Sequence, residues 1–440
     1  MLALPLLATL MSFSQFKLDN GLTVLVQEDH TVPVVALDVW YHVGSRDEAA
    51  GKTGFAHLFE HMMFQGSAHV ADKMHFKYVQ EAGGTANGST NTDRTNYFET
   101  LPSNFLETGL WLESDRMGFL LTTLTKDKLD NQRDVVRNER RQNYENRPYG
   151  LASKAIFENV YPPSHPYHHL TIGEHADLER ATVEDVAAFF KTWYSPANAT
   201  LAIVGDVDVP TARRLCEKYF GSLPSQAPPP RATRPPPQPV LSAEKRVRLD
   251  DRVALERVYL AWPSPPVFAP GDAELDLLAS VLGSKSGRLY KRLVYDARLA
   301  QSVEVAQASA PLSSLFEIVV TLKPGKKAAE VLPLVDAELA RARNEAIGAA
   351  ELDKARNQYE SKFVFALMSG HERADLLNLY AYYAGDPGYI DTDLARYRNA
   401  TADGVRDQAK RTLGAGRVVL TVSPKAGGSS SSAGSKKDGQ

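Results

Sequence analysis

The stretch "QAPPPRATRPPPQPV", Gln226 to Val240, constrains the fold of this chain more than any other. Proline has no amide proton and a fixed φ, so such runs fit neither a helix interior nor a central strand. The segment reads as an extended polyproline-type linker. It divides the 440 residues into halves of about 200, each of ordinary single-domain size. The boundaries fall at 12–223 for a first domain, 224–242 for the linker and 243–424 for a second domain.

The halves also match each other. "ATVEDVAAFFKTWYSPANATLAIVGDV" from Ala181 and "ATADGVRDQAKRTLGAGRVVLTVSP" from Ala400 align without a gap. Thr182 pairs with Thr401, Val186 with Val405, Leu201 with Leu420 and Ile203 with Val422. Each copy reads as a threonine N-cap, an amphipathic helix and a closing β-branched strand. Elsewhere, "NGLTVLVQEDH" and "VVALDVWYHVGS" alternate as strands with one covered face, and long helical patterns follow. Strand groups followed by helix groups predict an α+β fold: two homologous domains, each a mainly antiparallel sheet packed with helices.

A formal charge of −3 leaves no basic excess for neutralising phosphates, which argues against nucleic acid as a partner. Cys216 is the single cysteine, so no internal disulfide can form. "MLALPLLATLM" at the N-terminus reads either as an export signal or as an extension upstream of Met11. The compartment is accordingly open between cytoplasm and periplasm or secretion. No other segment has the ~18 consecutive apolar residues of a membrane span. The Gly/Ser-rich tail, residues 425–440, is expected to be disordered.

"GFAHLFEHMMFQGS", Gly54 to Ser67, places His57 and His61 four residues apart with Glu60 between them. In a helix the two imidazoles lie about 40° apart around the axis and one turn apart along it, so they can meet at one ion. Glu60 sits about 60° to the other side of His57, on the same face, within reach of a metal-bound water. Two histidines alone fit ordinary packing as well as a metal, and catalytic zinc normally takes three protein ligands.

"HLFEH" followed by "QRDVVRNERRQNYENRPYG" resembles the pitrilysin/insulinase (M16) family of zinc peptidases with the inverted motif, most closely its short, two-domain bacterial and processing-peptidase branch. The resemblance runs from about Phe16 to Pro424 and implies a zinc-dependent endopeptidase or oligopeptidase acting on peptides. It implies a third ligand at Glu139, which ends the family's V-V-x-x-E pattern on a helix. With zinc acidifying its bound water, Glu60 would serve as general base and then protonate the leaving amine. Many relatives carry a second glutamate seven residues before the third ligand; this chain has Gln132, to which no ligand or acid–base role is given.

The resemblance also assigns binding residues. In "GGTANGSTNTDRTNYFETLP" the stretch Asn87, Gly88, Ser89 and Thr90 would line the open edge of the catalytic sheet, where an extended peptide adds as a strand. The family's usual Asn-Ala is Asn-Gly here. Arg373 and Tyr380, seven residues apart in the second half, match a family pair that binds substrate near the scissile bond, with catalytic hydrogen bonds to its carbonyl. The second half places Leu277 and Leu278 where the first has Glu60 and His61, so one zinc per chain is expected. Longer relatives join four such domains around a chamber. The expectation is therefore a homodimer, or a pair with a hetero-partner of the family, in which Arg373 and Tyr380 complete the partner's zinc site. The histidines of "HPYHHLTIGEH" (His165, His168, His169, His175) are read as structural. The competing readings are a non-catalytic scaffold subunit and a specific presequence-type processing peptidase.

Overall fold

The computed structural model describes residues 11–229 and 236–425. The export-signal stretch before Met11, the centre of the proline linker and the tail after Lys425 lie outside these residues. No described helix is long and apolar enough to cross a membrane.

The first half builds one sheet from β1 (Ser14–Lys17), β2 (Thr23–Glu28), β3 (Val34–Tyr41), β4 (Thr85–Thr90), β5 (Thr95–Pro102) and β6 (Ala199–Gly205). Its order is β1-β2-β6-β3-β5-β4. The second half builds another from β7 (Lys245–Asp251), β8 (Arg257–Ser264), β9 (Ala300–Ala308), β10 (Ser314–Leu322) and β11 (Val418–Pro424), in the order β7-β11-β8-β10-β9. In each half the last strand enters between two early ones, β6 between β2 and β3 and β11 between β7 and β8, parallel to the first of each pair and antiparallel to the second. The sheets are thus mixed but mainly antiparallel, and apart from β1 they share one topology. The sequence repeat falls on this match: Leu201 and Ile203 lie on β6, Leu420 and Val422 on β11. Thr182 and Thr401 cap the preceding helices Val183–Trp193 and Ala402–Thr412, accepting from the amides of Asp185 and Gly404.

Alternation along the strands explains where the core sits. On β3, Val35, Leu37, Val39 and Tyr41 enter the core of their own half, while Ala36, Asp38 and Trp40 point to the opposite face. That face is covered by a helix from the other half, Gly370–Leu379, which packs on β3 and β6. Its Ala374 and Leu377 meet Leu25, Ala202 and Val204. The cover is reciprocal. A first-half helix, Ala152–Val160, packs on β7, β8 and β11, with Ala152 and Ile156 against Tyr259, Ala261 and Leu420. Leu377 is fully buried in this contact. Leu377→Ala is expected to cost about 2–5 kcal/mol by removing methyl groups and leaving a cavity. Thermal denaturation should show the loss as a lower Tm, with both halves affected together.

Candidate active site

Three helices of the first half matter most here: α1 (Phe55–Met62), α2 (Met74–Glu81) and α3 (Leu106–Phe119). Two more follow, α4 (Lys126–Arg140) and α5, the Ala152–Val160 helix described above. Phe55, Leu58, Phe59 and Met62 bury one side of α1, which leaves His57, Glu60 and His61 on the half-buried side. The helix starts at Gly54, at φ 89°, where a Cβ would stand 2.7 Å from the Ile172 carbonyl oxygen. Only glycine fits that turn and that approach. The buried Glu48 carboxylate accepts from the amides of Gly54 (2.9 Å) and Ala56 (2.8 Å), filling the open N-terminus of α1. His169 Nε2 lies 3.0 Å from the same carboxylate.

Helix α4 is capped by Thr125 and buries Leu129, Gln132 and Val136, which turns Glu139 toward α1. Glu139 Oε2 stands 3.6 Å from His57 Nε2 and 3.4 Å from His61 Nε2. One ligand atom from each of the three residues lies within 4.8 Å of the others. Directly after α4 the backbone widens into a π-helical turn, Arg141–Glu145, which sets Asn143 Nδ2 3.2 Å from the other Glu139 oxygen. Burial pulls His57 down to about 4 and so keeps its imidazole neutral. The His61 imidazole beside Glu139 holds that carboxyl below the usual range. Two imidazoles and a carboxylate are a donor set that zinc takes.

A second group, His75, Glu99 and Glu113, also brings three ligand atoms together, but all three residues are buried. The Arg116 guanidinium occupies it, pairing with both Glu113 oxygens, Nε to Oε2 at 2.9 Å. It is a buried core network in which the guanidinium already serves as the cation beside both carboxylates.

Strand β4 ends the sheet beside α1. Asn87, Gly88, Ser89 and Thr90 all lie on it, but they alternate. Gly88 and Thr90 pair with Tyr97 and Thr95 on the α1 side, and Asn87 and Ser89 pair with Phe98 and Asn96 on the other. The hairpin turn is Asn91–Arg94, with Asn91 Oδ1 accepting from the amides of Asp93 and Arg94. Arg94, which the sequence reading passed over, donates to the Ser89 carbonyl at 2.9 Å and lies over the Trp40 ring.

Arg373 and Tyr380 require correction. Their spacing predicts a shared helical face, and the backbone stays helical as far as Tyr380, where a π-helical turn begins, but neither side chain is free. Tyr380 is 1% exposed and donates its hydroxyl proton to Asp393 at 2.9 Å. Arg373 pairs with Asp29 at 2.5 Å and donates to the Leu367 carbonyl. Both are engaged within their own chain, and a buried phenol cannot reach a partner's substrate. The "HPY" histidines are structural: His165 stacks on Tyr161, His168 bonds the Tyr161 carbonyl and His175 bonds Glu145.

Fold and site together define a two-domain α+β protein built on a His-x-x-Glu-His helix, with a glutamate from a distant helix beside its two histidines. Residues 23–165 match the family model described as insulinase, peptidase family M16, and residues 180–359 match the M16 inactive domain. A zinc protease of Helicobacter pylori, PqqE, is 33% identical over 371 residues, 83% of this chain and 82% of that protein. An uncharacterized zinc protease of Bacillus subtilis, YmxG, is 24% identical over 82% of this chain and 85% of its own length. The crystal structure of a protease from Helicobacter pylori superposes with a TM-score of 0.87 at 29% identity, covering 94% of this chain and all of that one. The chain belongs to the insulinase family of peptidases, M16.

Proposed function

We propose that this protein is a zinc-dependent peptidase that cleaves extended peptides, with Glu60 as general base. The observation that carries the reading is the convergence of His57, His61 and Glu139 beside Glu60 and the sheet edge. The names of the relatives support the same reading. Zinc held by His57, His61 and Glu139 would supply Lewis acidity for water and for the scissile carbonyl. The chain's own residues do the rest. The β4 backbone pairs the peptide as an added strand, which reads main chain rather than sequence. Glu60, its carboxyl pushed up by burial, accepts the proton of the attacking water and returns it to the leaving amine. The second half, with Leu277 and Leu278 buried in its counterpart helix Asp272–Gly283, supplies no metal ligand from those positions.

The reading includes a second copy of the chain closing over the site, so that only unfolded peptides enter. The exposed apolar Val364, Phe365 and Met368 support such an interface. Sedimentation showing only monomer would remove that part and leave the chemistry. The test of the activity is a mixed peptide library with and without a chelator, read by mass spectrometry. Many unrelated cuts that vanish with chelator and return with zinc are expected; no cutting by zinc-loaded protein rejects the proposal.

A further inference from the structure

The strand that would hold the peptide also holds the base. On the α1 side of β4, Thr90 Oγ1 donates to Glu60 Oε2 at 2.7 Å. Among the described residues this is the hydrogen bond given to the Glu60 carboxylate. Two residues earlier on the same face, Gly88 leaves the Glu60 stem free. A Cβ there would lie 3.3 Å from Glu60 Cγ, 3.2 Å from Tyr97 Cδ1 and 3.3 Å from the Asn96 carbonyl oxygen, tighter than ordinary contact. The Thr90 hydroxyl is thus the hydrogen bond that β4 gives to the Glu60 carboxylate.

We infer that Thr90 is a positioning residue for Glu60, an inference that rests on the peptidase reading. Its hydroxyl occupies one carboxylate oxygen and leaves the other to face water. A carboxylate has several acceptor sites, so one tethered oxygen fixes the plane of the group while the other remains an acceptor. Because Thr90 lies on the edge strand, a peptide that pairs with β4 steadies the tether as it binds. Alignment of the base is thereby tied to occupancy of the edge. The side chains of Asn87 and Ser89 face away from α1 and take no part in it.

Thr90→Val keeps the shape and removes the donor. It is expected to lower kcat about 10- to 100-fold, as for a base present but misaligned, with KM and zinc content unchanged. Thr90→Ser, which restores the hydroxyl, should recover most of the loss. A kcat within twofold of wild type, a loss falling on KM, or a Ser variant as impaired as Val would overturn the inference. Should the wild-type protein cleave nothing, the peptidase reading fails by itself. Crystal structures of wild type and Thr90→Val then decide the tether: an unchanged Glu60 rotamer refutes it, and a displaced one upholds it.

Discussion

Glu60→Gln is expected to lower peptide turnover by about 10²- to 10⁴-fold, the usual contribution of a positioned general base. The glutamine keeps the length of the side chain and can still accept from Thr90 Oγ1, so the local structure should survive. What it loses is the capacity to take a proton. Glu60 is no ligand in this reading, because the converging atoms belong to His57, His61 and Glu139. Zinc, counted by atomic spectroscopy, should therefore remain stoichiometric. Near wild-type turnover in Glu60→Gln would show that another group is the base. Loss of zinc would show that Glu60 is a ligand.

Glu139→Ala makes the complementary prediction. It removes the one carboxylate of the ligand set and leaves two imidazoles on one helix. Loss of an outer partner costs about 10- to 100-fold in metal affinity, and loss of a ligand should cost more. Asn143→Ala provides the comparison within the same protein, since it frees only the second Glu139 oxygen. Competition with a chromogenic chelator should rank affinity as wild type, then Asn143→Ala, then Glu139→Ala. Equal affinity for wild type and Glu139→Ala would remove Glu139 from the metal site.

Local pattern and covalent spacing carried much of this structure into view. The i, i+4 histidines had to share a helix face, but the one covered face expected of the β3 segment proved to be two, because the helix Gly370–Leu379 of the other half covers the second. The duplicated Thr-helix-strand unit marked a shared topology before any strand was paired. Glu139 was reached only through family resemblance, because nothing in its local spacing says which distant helix will approach α1. Glu48 gave no signal either: a carboxylate capping a helix from outside leaves no periodic trace. The helix Gly370–Leu379 was misread for a related reason. The spacing holds as far as Tyr380, whose backbone is still helical, but this side of the helix packs inside its own chain, Tyr380 on Asp393 and Arg373 on Asp29. Which sheet the helix covers is a long-range choice that periodicity does not encode.

The crossed helices, each half roofing the other's sheet, make the proline tether mechanically redundant. Cutting it by a protease would release neither piece, because each would still grip the other through a buried helix. Conversely, the first half expressed alone would present Leu25, Ala202 and Val204 to water and invite aggregation. A lineage that discarded the second half would thus lose the roof over the first half's sheet. This gives the second half a reason to persist even without any chemistry of its own.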